Sequence, residues 1–240
     1  MAITSEIVKL TIDVILPAYN PHHHWEHEIV ENFNRLKNGF TEYNFRLFIV
    51  TDGAKKGYEP DVLEYLNQNL PDATILHYNN NRGKGYALRY AVERCPDDWI
   101  IYIDYDFPYT DNSIKKVLCS LASGADVVVA TRKSSYQNNL PFLRKRLSHM
   151  SHTFNRYILN IPIRDTQGGM KGFNKKGRTV FLSTKICTFL FDTEFIYKAF
   201  KKGYNVVAID AEIKEGLKVS SMGIKVIFRE FLNVLEIIKR

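Results

Sequence analysis

The chain has 240 residues, of which 45% are hydrophobic, 13% aromatic and 25% charged, ordinary proportions for a globular protein. Length and composition exclude a collagenous, disordered or disulfide-built chain and suffice for a sizeable core in one large domain or two small ones. A formal net charge of +7 favours anionic partners: nucleic acid, an anionic membrane face or phosphorylated substrates.

Taken in chain order, residues 12–16 (IDVIL) are predicted as a strand and 28–37 as an amphipathic helix. Residues 45–50 (FRLFIV) read as a second strand, 61–67 as the start of a helix, 73–77 as a short strand and 85–94 as a helix. Two further strands, 99–103 (WIIYI) and 126–130 (DVVVA), flank a helix over 111–122. Apolar runs of this length alternating with helices imply buried parallel strands, hence an α/β sheet with crossover helices. The second half is less regular. Residues 140–159 suggest a basic amphipathic helix carrying Arg144, Lys145 and Arg146, 191–201 a helix, 206–209 a strand and 223–240 an apolar-sided helix. These two amphipathic segments read either as faces packed on the domain or as surfaces for an anionic lipid headgroup and a membrane.

Cys95, Cys119 and Cys187 are far apart without a CxxC pair, and read as buried small apolar residues in a reducing compartment. Residues 1–20 carry no secretory signal pattern, and no apolar run reaches the ~18 residues of a membrane span. The expected location is therefore the cytoplasm, with any membrane contact peripheral on its inner face. His22, His23, His24 and His27 lack cysteine partners and read as an exposed loop and helix start rather than a metal centre.

In open α/β sheets ligands sit beyond the carboxyl ends of the strands, and the polar residues collect there. Asp104 and Asp106 follow WIIYI, and where a strand ends and turns both carboxylates can converge on a hard cation, Mg²⁺ or Mn²⁺. Pro17, Ala18, Tyr19 and Asn20 follow the first strand, offering a ring for stacking and an amide for polar recognition. Asp52 follows the second, placed to accept hydrogen bonds from a nucleobase or ribose. Asn81, Arg82, Gly83, Lys84 and Gly85 open a helix, with glycines for close backbone approach and a lysine at a helix start that favours anions. Together these four strand ends outline a nucleotide-diphosphate site.

The order DVILPAYN, VTDG, NNRGKGYALRYAV, YIDYD and TRK resembles family 2 glycosyltransferases of the GT-A fold, a Rossmann-like three-layer architecture with a mostly parallel central sheet. The segment DTQGGMKGF from Asp165 resembles the DTQCGFK-type motif of dolichyl-phosphate glucosyltransferases and related polyprenyl-phosphate glycosyltransferases, and FDTEFIYKAFKKGY from Phe191 resembles the FDxE helix of the same group. The resemblance spans roughly residues 12–211. It implies one catalytic domain over 1–240, with a nucleotide-sugar half over 1–130, an acceptor-side half over 131–222 and a C-terminal amphipathic helix. It further implies that Pro17, Ala18, Tyr19, Asn20 and Asp52 cradle the nucleoside of a UDP- or GDP-sugar, and that Asp104 and Asp106 hold the divalent cation. Gly83, Lys84, Tyr105 and Arg132 would lie near phosphate or sugar. Gln167 and Lys171 would face the donor sugar or the acceptor's charged end, and Asp192 and Glu194 stand where many inverting members carry their base.

Three departures bear on base and sugar preference rather than reaction class. Pro21 stands where the family usually has Glu, Thr51 precedes Asp52 in place of a paired aspartate, and Gly169-Met170 precede Lys171 where an aromatic is common. The expected reaction is an inverting, metal-dependent hexosyl transfer to a polyprenyl phosphate, which as an anion needs no base. The alternative is a saccharide hydroxyl in cell-surface polysaccharide assembly, for which Asp192 is the best base. No RNP, zinc-finger or homeodomain pattern supports a nucleic-acid-binding module, so no nucleic-acid partner is expected. A sugar nucleotidyltransferase would carry a Gly-rich, Arg-containing loop after the first strand, which PAYNPHHH is not.

Overall fold

Val-, Ile- and Phe-rich runs whose successive side chains point to opposite faces need apolar cover on both sides, and helices supply it here. The computed structural model describes residues 9–97, 99–132, 156, 159–163, 165–188 and 190–214. In order, the elements are β1 (Leu10–Ala18), α1 (Trp25–Gly39), β2 (Tyr43–Asp52), α2 (Pro60–Asn69), β3 (Thr74–Tyr78), α3 (Lys84–Val92), β4 (Ile100–Tyr102), α4 (Asp111–Ala122) and β5 (Val127–Arg132). They continue with β6 (Lys171–Phe173), α5 (Lys175–Leu182), α6 (Phe191–Lys201) and β7 (Val206–Ala211). The strands form one sheet in the order β3-β2-β1-β4-β6-β5-β7. Only β6 runs against its neighbours, pairing antiparallel with β4 and β5.

Each strand feeds two cores. Ile12, Val14 and Leu16 of β1 pack with Ile29 and Phe33 of α1, Leu66 of α2 and Val117 of α4. Ile15, Phe48, Tyr102 and Val129 face Leu88 of α3, Phe181 of α5 and Phe195 of α6. The result is a three-layer α/β/α arrangement. Side-chain oxygens cap two of the helices: Thr110 accepts from Ser113 N at α4, and Asn174 accepts from Lys176 N and Gly177 N at α5.

The sheet and first-half helices match the reading of the sequence, with β1 longer at both ends and α3 ending at Val92. Residues 171–178, of which the first three close the DTQGGMKGF motif, form β6 and the start of α5. KGF is too short to show a strand period, and its pairing with β4 and β5 is a long-range contact that local pattern does not encode. The helix expected over 140–159 falls outside the described residues except for Arg156 and Leu159, and that over 223–240 falls wholly outside them. Cys95 is buried as expected, but Cys119 is exposed and Cys187 partly so; Cys119 lies on the solvent side of α4.

Phe181 joins the helical layer to the sheet: it is fully buried, stacked on Phe173 at 5.3 Å and within 5.8 Å of the Tyr102 ring. Phe181→Ala is expected to lower unfolding free energy by about 3–5 kcal/mol, measured by urea denaturation.

Candidate active site

Register decides which polar residues meet. Ala18 pairs with Thr51, Ile15 with Tyr102, and Tyr102 with Lys171. The carboxyl ends of β1, β2 and β4 and the start of antiparallel β6 therefore share one edge, and PAYN, TDG, DYD and DTQGGMK gather there.

At the centre stands Asp104. Lys84, in the first turn of α3, forms an ion pair with its Oδ1. Burial disfavours the Lys84 ammonium, yet the charges of Asp104, Asp192 and Asp106 outweigh it and hold its pKa above an ordinary lysine's. Asp106 has no such partner within ion-pair distance among the described residues. Burial and then the Asp104 charge raise its pKa, with Lys84 and His22 acting against them. On the other side of Asp104, Gly169 leaves no room for a side chain, since a Cβ there would fall 1.9 Å from Asp104 Oδ2. Gly169 N is held by donation to Tyr109 Oη at 2.7 Å.

Behind this pair lies a buried network. Lys171 is fully buried and Asp192 is 4% exposed; Lys171 Nζ sits 2.8 Å from Asp192 Oδ1 and also donates to Gly168 O. Tyr102 Oη donates to the same Asp192 oxygen. Burial drives Asp192's pKa up and Lys171's down, each against the pull of the other's charge. Arg132 grips Asp165 with two bonds, Nε to Oδ2 at 2.7 Å and Nη2 to Oδ1 at 3.0 Å. Burial would raise Asp165's pKa, but the Arg132 bonds and charge bring it below the usual carboxylate value. Thr166 and Thr193 share a buried hydroxyl bond of 2.8 Å that ties the DTQ segment to α6.

Several residues singled out from sequence serve the scaffold. Asp52, expected to accept from a nucleobase or ribose, here accepts from Tyr78 Oη, Arg82 N, Asn81 Nδ2 and Gly83 N at 2.7–3.0 Å, bonds that fill its four lone-pair sites and clamp the 81–83 segment. Gly83 is likewise a packing residue. Its φ is +97°, and a Cβ would lie 2.3 Å from Cys187 O, so it lets the 184–188 loop close on α3. Lys171, fully buried, presents no charge to a cleft in this state, and Glu194 spends its carboxylate on Lys185 N, Ile186 N and Lys198. Ala18 is buried, and its carbonyl accepts from Tyr58 Oη at 3.2 Å.

Others remain open. Tyr19 is 51% exposed, one of two large apolar side chains so placed among the described residues. Asn20, at φ +44°, accepts from Lys55 N through Oδ1 at 2.8 Å. Pro17 and Gln167 are partly exposed. Tyr105 is also partly exposed, its Oη 3.1 Å from His22 Nδ1. Sequence reasoning missed Tyr102, Tyr109, Arg89 and the bracing role of Asp165. Two of them left a signal: a tyrosine inside a buried strand needs a hydroxyl partner, and Arg89 breaks the apolar face of α3. Arg89 reaches Thr184 Oγ1 and Ile186 O at 3.1 and 2.8 Å.

One edge of this mostly parallel sheet thus gathers the polar strand-end loops, the Asp104–Asp106 turn, the half-buried Lys84 and the fully buried Lys171. The family model for glycosyl transferase family 2 matches residues 13–179, and the chain belongs to that family of glycosyltransferases. Its fold is GT-A. It superimposes with a TM-score of 0.62 on glucosyl-3-phosphoglycerate synthase from Mycobacterium tuberculosis, solved with Mn²⁺, UDP and phosphoglyceric acid, at 13% identity over 94% of this chain and 77% of that one. By sequence it is 24% identical to a dolichyl-phosphate beta-glucosyltransferase of Trichomonas vaginalis, covering 88% of this chain and 69% of the relative. A dolichyl-phosphate beta-glucosyltransferase of Dictyostelium discoideum is also 24% identical, covering 81% and 64%. The chain thus spans about two thirds of the length of these relatives.

Asp52→Asn tests the scaffold role. The amide would face backbone N–H donors, so stability in urea is expected to fall by about 1–3 kcal/mol. A variant with unchanged stability and a donor KM raised many-fold would instead make Asp52 a nucleotide reader.

Proposed function

We propose that this glycosyltransferase moves a hexose from UDP- or GDP-hexose to a polyprenyl phosphate with inversion at the anomeric carbon, using Mg²⁺ or Mn²⁺. The observation that carries the reading is the part-buried Asp104–Asp106 pair, which has only Lys84 as an ion-pair partner among the described residues. Burial and the neighbouring Asp104 charge both act against the Asp106 carboxylate, which favours a bound cation, and oxygen-only donors suit Mg²⁺ or Mn²⁺. When bound, the ion would stabilise the charge developing on the leaving diphosphate.

The chain's own residues supply the rest. Tyr19, Asn20 and Pro17 line the nucleoside end, and Tyr105 borders the diphosphate between the two aspartates. Lys84, already charged in the field of three carboxylates, holds Asp104 in place and offers a proton donor beside the phosphates. Arg132, braced by Asp165, and Gln167 face the acceptor side. Asp192 and Lys171 neutralise each other beneath the sugar position, and Lys171 fixes the Gly168 carbonyl.

Two supports favour a phosphate acceptor over a hydroxyl. An anionic acceptor needs no base, and the one carboxylate suited to that task, Asp192, is 4% exposed and already engaged by Lys171 and Tyr102. Both of the relatives compared by sequence are named for transfer to dolichyl phosphate. No helix among the described residues is long and apolar enough to cross a membrane. We propose that the reaction takes place at the inner membrane face, reached by peripheral contact that the +7 net charge assists.

A donor screen with Mn²⁺ or Mg²⁺, scoring nucleoside diphosphate release with and without short polyprenyl phosphates, tests the reading. Release is expected to need both the lipid phosphate and the metal, and to stop in excess chelator; full activity in chelator overturns the metal role. Asp192→Asn is expected to slow transfer only modestly, whereas loss beyond ~10³-fold would make it the base for a hydroxyl acceptor. Because burial and Asp104 raise the Asp106 pKa, metal affinity is expected to weaken as pH falls, and to do so at higher pH than an aspartate of pKa ~3.9 would.

A further inference from the structure

We propose that His24, Glu26 and His27, at the start of α1, form a binding site for a transition-metal ion of the Zn²⁺ type, separate from the aspartate pair. One ligand atom from each lies within 4.8 Å of the others. His24 Nδ1 and His27 Nε2 stand 3.6 and 3.5 Å from Glu26 Oε1. Those separations exceed a good hydrogen bond. They match the edge of a tetrahedron, ~3.4 Å, around an ion with ligand bonds of ~2.0–2.1 Å.

Glu26 points independently to a ligand. Its side chain is 8% exposed, and its Oε2 is buried without a hydrogen-bond partner among the described residues. A buried carboxylate oxygen with no partner is unfavourable unless a charge is supplied. The histidines, in contrast, are 68% and 54% exposed and free to close on an ion. Backbone geometry keeps the set together. His24 lies at the helix cap with φ +64°, His27 N bonds to His24 O, and the His27 ring rests on Tyr65 at 4.2 Å between centroids. His22 is directed elsewhere, bonding Tyr105 Oη and Glu28. Two imidazoles and a carboxylate suit Zn²⁺ rather than Mg²⁺, with water in the fourth position. A bound ion would fix the segment between Asn20 and α1, whose His22 touches Tyr105 between Asp104 and Asp106.

The test titrates metal-free full-length protein with Zn²⁺ by calorimetry and with Co²⁺ by visible absorption, both in excess Mg²⁺. One equivalent of Zn²⁺ is expected, with a Co²⁺ spectrum of a nitrogen–oxygen site. His24→Ala/His27→Ala and Glu26→Gln are each expected to weaken binding at least ~10–100-fold, the loss typical of even an outer-shell partner. His22→Ala/His23→Ala and Asp104→Asn/Asp106→Asn are expected to retain it. Zn²⁺ should raise the melting temperature of the native protein and not that of Glu26→Gln, which separates ligation from a folding defect. Absent binding in the native protein, unchanged affinity in His24→Ala/His27→Ala, or equal loss in His22→Ala/His23→Ala would overturn the assignment. Loss in Asp104→Asn/Asp106→Asn would do the same. Failure here leaves the transferase reading untouched, because the donor screen uses other residues.

Discussion

Charge balance at the carboxyl edge of β4 governs this molecule. Asp104, Asp106 and Asp192 bring three carboxylates to a part-buried space where Lys84 and Lys171 bring two amines. Lys171 pairs with Asp192 in the interior and Lys84 pairs with Asp104 nearer the surface. Among the described residues, the carboxylate of the three left without an ion-pair partner is Asp106. In a low-dielectric setting an unmatched carboxylate either takes up a proton or recruits a cation. Under the proposed reaction, in which a departing diphosphate must be stabilised, the second outcome is the useful one.

Much of the surrounding structure serves to hold those charges in register. Antiparallel β6 sets Lys171 beside Tyr102, so one strand delivers both partners of Asp192. Gly169 admits Asp104 to a space that any side chain would fill. Asp52 ties the segment from Asn81 to Gly83, Arg89 ties the 184–187 loop to α3, and both fix where Lys84 begins its helix.

The alternation of apolar runs with amphipathic segments made the parallel sheet legible, because both signals are local and periodic. The strand-end polar residues were legible for the same reason, since the topology of an open sheet dictates where they gather. What local pattern could not reveal is who partners whom. Asp52 reads identically as a nucleobase acceptor or as a loop clamp until Tyr78 and the Arg82 and Gly83 amides are brought to it. Lys171 reads as facing the donor sugar or the acceptor's charged end until β6 places it between two strands. The histidine run, read as an exposed loop, gains chemical meaning only when Glu26 turns inward beneath it.

Electron paramagnetic resonance of Mn²⁺ examines the charge surplus directly. Added to the native protein with UDP or GDP, the free Mn²⁺ signal should fall on binding, and Asp106→Asn should restore it while the variant melts at an unchanged temperature. Equal Mn²⁺ uptake by the native protein and by a folded Asp106→Asn variant would contradict the view that this carboxylate's unmatched charge organises the site.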